Sequence, residues 1–324
     1  TWRAIKARDA LNIVWDEGGN GELDTDKMLE HYRELSGKPG FVIQEQGNFD
    51  DAAASAKQVV EATYEVPFLA HACMEPLNCT VFDRGASGGE GAELWTGTQM
   101  QTADRATAAG ILGHEPESVE LHTQFLGGGF GRRAAAWSDF VAEASHVAKG
   151  EPWPVKTTWT REDDTRGGQY RPMTLHRSRL ALDANGRPLA WHNRVVGQAI
   201  DGFKMFGMEP ENFDDSMIEG LKTQPYSVPV VNLEAHLTTS PVTTLWWRSV
   251  GHTHTAFMKE TLIDEAAHAA GADPMQYRKG LLQEHPRYLA LLDKVEKMSG
   301  WSRELPAGSG LGVAIEESFG SIVA

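Results

Sequence analysis

The sequence predicts an α+β fold: a small α/β unit over residues 1–66, then a larger region over residues 67–324 in which mixed strands pack against helices. Three observations predict it. Stretches with helical periodicity alternate with short strand-like runs along the whole chain. One hairpin is plainly written, with DANG (183–186) between two alternating runs. The 324 residues are 41% hydrophobic and 23% charged, an ordinary globular composition on a chain long enough to bury a core.

The elements follow in order. Residues 2–10 carry Trp2, Ile5 and Ala10 loosely on one face, a helical pattern. LNIVW (11–15) is a strand candidate and GGNGE a loop. Asp24 or Thr25 caps a helix to about Leu35, which SGKPG ends before a second strand, FVIQEQ. Asp50 or Asp51 starts an alanine-rich helix, AAASAKQVVEAT, and YEVPF is a strand leaving the unit. Near residue 67 the texture changes. ELWTGTQM is a strand into a turn, TADRATAAGILG a helix ended by glycine, and SVELHTQFL an alternating strand. AAAWSDFVAEASHVAK is a helix with Ala136, Phe140, Ala144 and Val147 on one stripe. EPWPVKTTWTREDD is a strand into a loop, and SRLALDANGRPLAWHNRVVGQ is the hairpin. Residues 201–227 are an irregular excursion. VVNLEAHLTTS is a strand, followed by a long helix, HTAFMKETLIDEAAHAAG, and a shorter one, DPMQYRKGLL. GLGVAIEESFGSIVA reads as a strand. Both ends of the sequence break into a pattern midway, which suggests a piece of a longer protein.

Charge and cysteine content narrow the function. A net charge of −15 disfavours phosphate backbones and anionic lipid as partners. No apolar run approaches the roughly 18 residues of a membrane helix. Two cysteines, Cys73 and Cys79, exclude both a disulfide scaffold and an iron–sulfur cluster held by four thiolates of this chain.

The stretch HTQFLGGGFGRR (122–133) carries the chemistry. Gly128, Gly129 and Gly131 around Phe130 let the backbone approach a ligand and aim peptide N–H groups at an anion or oxo group, while Arg132 and Arg133 place charge nearby. A tight packing turn would use the same glycines. The dinucleotide and P-loop spacings are both absent. Three other stretches stand beside this one. WTGTQ (95–99) offers the Gln99 amide. LWWRSVGHTHTAF (245–257) places Arg248 at a strand-to-helix turn. HACMEPLN (71–78) is a proline-broken loop with His71, Glu75 and Asn78.

In that order these stretches resemble the molybdenum hydroxylases, the xanthine oxidase and aldehyde oxidase family, and most of all the isoquinoline 1-oxidoreductase large-subunit type. The matched segments are HACMEPLN, WTGTQ, GGGFG and RSVGHTHTAFMKETLIDEAA. The resemblance implies a molybdenum–molybdopterin cofactor, in its cytosine dinucleotide form, held without direct side-chain ligation of the metal. It implies that Gln99 bonds an oxo group, that Gly128, Gly129, Phe130 and Gly131 present backbone to the metal site, and that Arg248 contacts the cofactor mainly through backbone. Residues 1–66 would be the end of a hammerhead-like α/β domain and 67–324 the first cofactor-binding domain. A second cofactor domain or chain and an iron–sulfur small subunit are the implied partners. The substrate would be a small aromatic heterocycle or aldehyde, with Trp246 and Trp247 as pocket candidates. The family's glutamate after the glycine loop, used on purines, is Ala134 here, so a purine is disfavoured. No segment matching the family's catalytic glutamate occurs, so that residue is expected beyond Ala324, and Glu316 and Glu317 do not take its role. On this reading the chain alone is inactive. A non-catalytic scaffold that keeps the fold without cofactor is the alternative. A metal-dependent hydrolase is disfavoured, because the twelve histidines form no ligand set on one helix face.

Overall fold

The computed structural model describes residues 1–135 and 137–324. In chain order the helices are α1 (Trp2–Asp9), α2 (Thr25–Ser36), α3 (Phe49–Ala53), α4 (Gln101–Leu112), α5 (Asp139–Ala148), α6 (Arg161–Arg166), α7 (His252–Ala269), α8 (Pro274–Leu281) and α9 (Pro286–Ser299). The strands are β1 (Phe41–Gln46), β2 (Gln58–Val66), β3 (Leu69–Ala70), β4 (Asn78–Asp83), β5 (Ala92–Thr96), β6 (Val119–Thr123), β7 (Val155–Thr158), β8 (Tyr170–Arg171), β9 (Thr174–Leu182), β10 (Pro188–Gln198), β11 (Val230–Thr238), β12 (Glu316–Ser318) and β13 (Ser321–Val323).

Two sheets organise the chain. The larger has the order β1-β11-β10-β9-β2. Its centre is the expected hairpin, β9 against β10, whose turn is closed by Asp183 accepting from the peptide N–H groups of Asn185 and Arg187. β11 runs parallel to β10, while β1 and β2 pair antiparallel on the two edges. Side chains alternate across a strand. Leu180 and Leu182 of β9 therefore face one way, into a core shared with Leu233, Met258, Leu262, Ile263 and Leu292, which is covered by α7, α8 and α9. Leu175 faces the other way, toward Tyr32, Met28 and Leu29 of α2. The smaller sheet has the order β6-β5-β4-β7. Cys79, Val81, Ala92 and Leu94 point from it into a core closed by α4 and α5.

Several expectations are corrected. LNIVW makes no strand: residues 11–15 are exposed and join no ladder. The alanine-rich helix stops at Ala53, capped by Asn48. QVVEAT, expected as the rest of that helix, instead joins the expected strand residues Tyr64–Val66 in β2, because Val59, Val60 and Thr63 suit a pleated edge better than a helix interior. Apart from these corrections, β1 and β2 sit in one sheet with β9, β10 and β11. α5 starts only at Asp139 and buries Phe140, Val141 and Ala144, whereas Val147 is exposed; Ala136 lies outside the described residues. TREDD is not loop but the start of α6, opened by a capping box between Thr160 and Asp163. α9 was not expected. Residues 312–315 form no strand, and only the end of the last segment pairs, as the β12–β13 hairpin. Asp24 does cap α2, accepting from the N–H groups of Asp26 and Lys27, and Gly113 ends α4 at φ +84°.

Candidate functional site

β5 and β6 run parallel, and their carboxyl ends point the same way. Gln99 follows β5 and the glycine loop follows β6. Ligands of open sheets gather at such strand ends. The segment between β11 and α7 comes to meet them. Gln99, Phe130, Gly131, Trp246, Trp247, Arg248, Ser249 and Val250 line one cavity of about 370 Å³. Segments from three distant parts of the sequence thus converge, with Gly128 and Gly129 directly behind Phe130.

Specific backbone bonds fix that convergence. The Gln99 carbonyl oxygen (Oε1) accepts from the Gly131 N–H at 3.2 Å. The Arg248 N–H donates to the Phe130 carbonyl at 2.8 Å, which ties the fourth stretch to the glycine loop through main chain. A Cβ on Gly129 would stand 2.5 Å from Gln99 Oε1, and one on Gly131 would fall on the Trp246 carbonyl oxygen. Only glycine permits that approach. Phe130, Ser249 and Val250 have φ of +55°, +74° and +49°, conformations that non-glycine residues adopt at a cost of roughly 1–3 kcal/mol each. The Phe130 and Trp247 rings stack at 6.3 Å, and Trp246 packs against Phe203 at 5.4 Å.

Arg132 and Arg133 do not supply free charge to the cavity, contrary to the sequence reading. Both are buried. Arg132 makes a two-pronged pair with Asp139, at 2.6 and 3.0 Å. Arg133 donates to the carbonyls of Gly128, Gly97 and Glu75 and to the Glu75 carboxylate. A guanidinium as deeply buried as that of Arg133 is tolerable because its donors are met in this way. Burial acts to raise the Glu75 pKa, but bonds from Asn78 and Gly127 and the Arg133 charge outweigh it and hold the group below the usual carboxylate range. Arg248, by contrast, is exposed and makes no ion pair among the described residues.

The cavity suits a group rich in oxygen acceptors. Among the described residues, the Phe130 N–H and the Gln99 side-chain nitrogen have no protein acceptor. No histidine, cysteine or carboxylate lines the cavity, so a metal there would have to be carried by another molecule. Elsewhere, Glu93, Glu120 and His122 lie close enough to share a cation, but both carboxylates are already paired with Arg84. Glu316 pairs with His252 and Lys259, and Glu317 accepts from Tyr288, so both pin the C-terminal hairpin to α7 and α9.

The molybdopterin cofactor-binding domain model matches residues 35–280. The chain belongs to that family. It is 29% identical to the isoquinoline 1-oxidoreductase subunit beta of Brevundimonas diminuta, over 97% of this chain and 41% of the relative. It is 30% identical to the membrane-bound aldehyde dehydrogenase (pyrroloquinoline-quinone) of Gluconacetobacter polyoxogenes, over 86% of this chain and 37% of that one. The fold matches quinoline 2-oxidoreductase of Pseudomonas putida 86 with a TM-score of 0.61 at 21% identity, covering 82% of this chain and 36% of that one. The chain therefore spans about two fifths of the length of these relatives, and it is related to the large subunits of molybdenum hydroxylases. Among the described residues, no helix is long and apolar enough to cross a membrane.

Proposed function

We propose that this chain forms one wall of the cofactor site of a molybdenum hydroxylase that inserts water-derived oxygen into an aldehyde or an N-heteroaromatic carbon. One observation carries the reading: Gln99, the glycine loop and the Trp246–Val250 turn, far apart in sequence, line one cavity with unpartnered N–H donors. The resident group would be molybdenum–molybdopterin, as the cytosine dinucleotide, and when bound it would supply the two-electron redox chemistry. Gln99 would donate its amide hydrogens to an oxygen of that group. Gly128, Gly129, Phe130 and Gly131 would present main chain, with Arg248 on the opposite side. Trp246 and Trp247 would exclude water and stack on a flat substrate. Electrons would leave to an iron–sulfur partner subunit. The proton-accepting glutamate, with the rest of the cofactor site, would come from a second cofactor-binding segment outside these 324 residues. Residues 1–66 would end the preceding hammerhead-like domain, with β1 and β2 bracing the cofactor domain.

The test is metal analysis of the longer protein that contains this chain, beside the 324-residue chain alone. The longer protein is expected to hold close to one molybdenum per chain and to oxidise isoquinoline or an aromatic aldehyde with a dye acceptor. The isolated chain is expected to hold little metal and to turn nothing over. Absence of molybdenum from the longer protein would overturn the assignment. Stoichiometric molybdenum or turnover in the isolated chain would overturn the claim that half the site lies elsewhere.

A further inference from the structure

The segment HACMEPLN touches all the other elements of the cavity, yet none of its residues lines it. Residues 71, 73 and 75 alternate inward, while Ala72 and Met74 face out, Met74 being almost fully exposed. Each inward side chain reaches a different target. The His71 Nε2 bonds the Trp246 carbonyl at 3.1 Å, the same oxygen that leaves no room for a side chain at Gly131. Its ring also lies near Trp247, tilted at 6.4 Å, and Trp247 in turn stacks on Phe130. The Cys73 thiol donates to the Gly129 carbonyl at 3.3 Å. The Glu75 carboxylate accepts from the Gly127 N–H and from Arg133, each at 2.9 Å, and Arg133 in turn holds Gly97 and Gly128. Asn78 donates to the other Glu75 oxygen at 3.0 Å, fixing its rotamer.

Resting on the cofactor-site reading, we propose that residues 71–78 are the strut that sets the cavity's spacing, with His71 and Glu75 as positioning residues for the Phe130 and Trp246–Arg248 backbone. Two further observations support a positioning role over simple packing. His71 is buried, and its Nε2 commits its hydrogen bond to the Trp246 carbonyl at the cavity rim. Ala72 sits at φ +47° without being glycine, a conformation kept only where its neighbours over-determine it. The strut also gives the paired arginines of the loop a purpose: Arg133 couples Glu75 to the turn that presents Gln99.

The experiment compares His71→Gln, Glu75→Gln and, as control, Met74→Ala in the longer protein. Two readouts are taken: molybdenum per chain, and amide hydrogen exchange of the peptides covering 125–135 and 244–252. In His71→Gln and Glu75→Gln, exchange in those two peptides is expected to rise about tenfold, while the α7 and β9–β10 peptides stay unchanged. Molybdenum retention is expected to fall about tenfold, the usual size of effects from groups that orient a metal site without touching it. Met74→Ala should match the parent in both. Unchanged exchange in the loop peptides overturns the strut, with or without metal. Exchange that rises everywhere, α7 included, also overturns it, since that marks general destabilisation. A parent protein without molybdenum overturns the cofactor reading alone, because the exchange comparison still decides the strut.

Discussion

The core under the larger sheet and the rim of the Gln99–Phe130–Arg248 cavity are built by different physics. The core is a matter of area. Leu180, Leu233, Met258, Leu262 and Leu292 interdigitate with almost no exposure, and no non-glycine residue of β9, β10, β11 or α7 has a positive φ. The rim is a matter of individual atoms. Three of the residues lining the cavity are non-glycines in left-handed backbone, held by single bonds such as Arg248 N–H to Phe130 carbonyl. A core tolerates substitutions that keep volume. A rim of this kind tolerates few that move a carbonyl, because its worth lies in where donors point.

Three outcomes would sharpen or break the contrast. Leu233→Ala should cost about 2–5 kcal/mol in global unfolding by denaturant, through lost burial and a cavity the sheet cannot close. A cost well under 1 kcal/mol would mean that the core is not the principal store of stability.

The second outcome tests the polar seam between the two regions by acid. Burial lowers the His71 pKa from 6.5 to about 4 and that of His176 to about 3, against weaker opposing bonds. Burial, followed by the neighbouring His176, also lowers the His254 pKa well below its ordinary value. All three bind a proton in the unfolded chain below about pH 6.5 but not in the folded one. Stability contributed by keeping them neutral is therefore whole above 6.5 and lost as pH falls toward 4, at roughly 1.4 kcal/mol per pH unit for each group. Urea midpoints measured between pH 7 and 4.5 should fall accordingly. A flat profile would show that these rings are not shielded as the structure has them.

The third and smallest effect is Gly131→Ala, expected to cost about 1–3 kcal/mol from strain at φ +103° and displacement of the Trp246 carbonyl. It should perturb tryptophan fluorescence out of proportion to that loss. A neutral result would mean that the rim is pliant, and the contrast with the core would fail.

What could be read from the sequence follows the same division. The hairpin, the Asp24 cap and the Gly113 stop were legible because their signals are local. The four stretches of the site were legible only together, since each alone is an ordinary turn. The course of residues 54–63 was missed because alanines at the start favour helix, while the cross-strand partners that make residues 58–63 part of β2 lie more than a hundred residues on. α6 was missed although its Thr160–Asp163 capping signal was present, and α9 although Pro286 and Gly300 mark its ends. The fate of Arg132 and Arg133 was not legible at all. Whether an arginine meets solvent or a buried ring of carbonyls depends on Gly97, Glu75 and Asp139 folding around it, and no spacing rule encodes that.

The strand order of the larger sheet bears on how the chain is made. β1 and β2 leave the ribosome before their partners in the sheet, β11 and β9, which are translated more than a hundred residues later. Pairings so distant in sequence form slowly, and both early strands must wait with open edges, β2 until β9 is made and β1 until β11 is made. Release of a nascent chain shortly before residue 174 would leave two unmatched strands, the form in which this molecule is most exposed to aggregation and most in need of a chaperone.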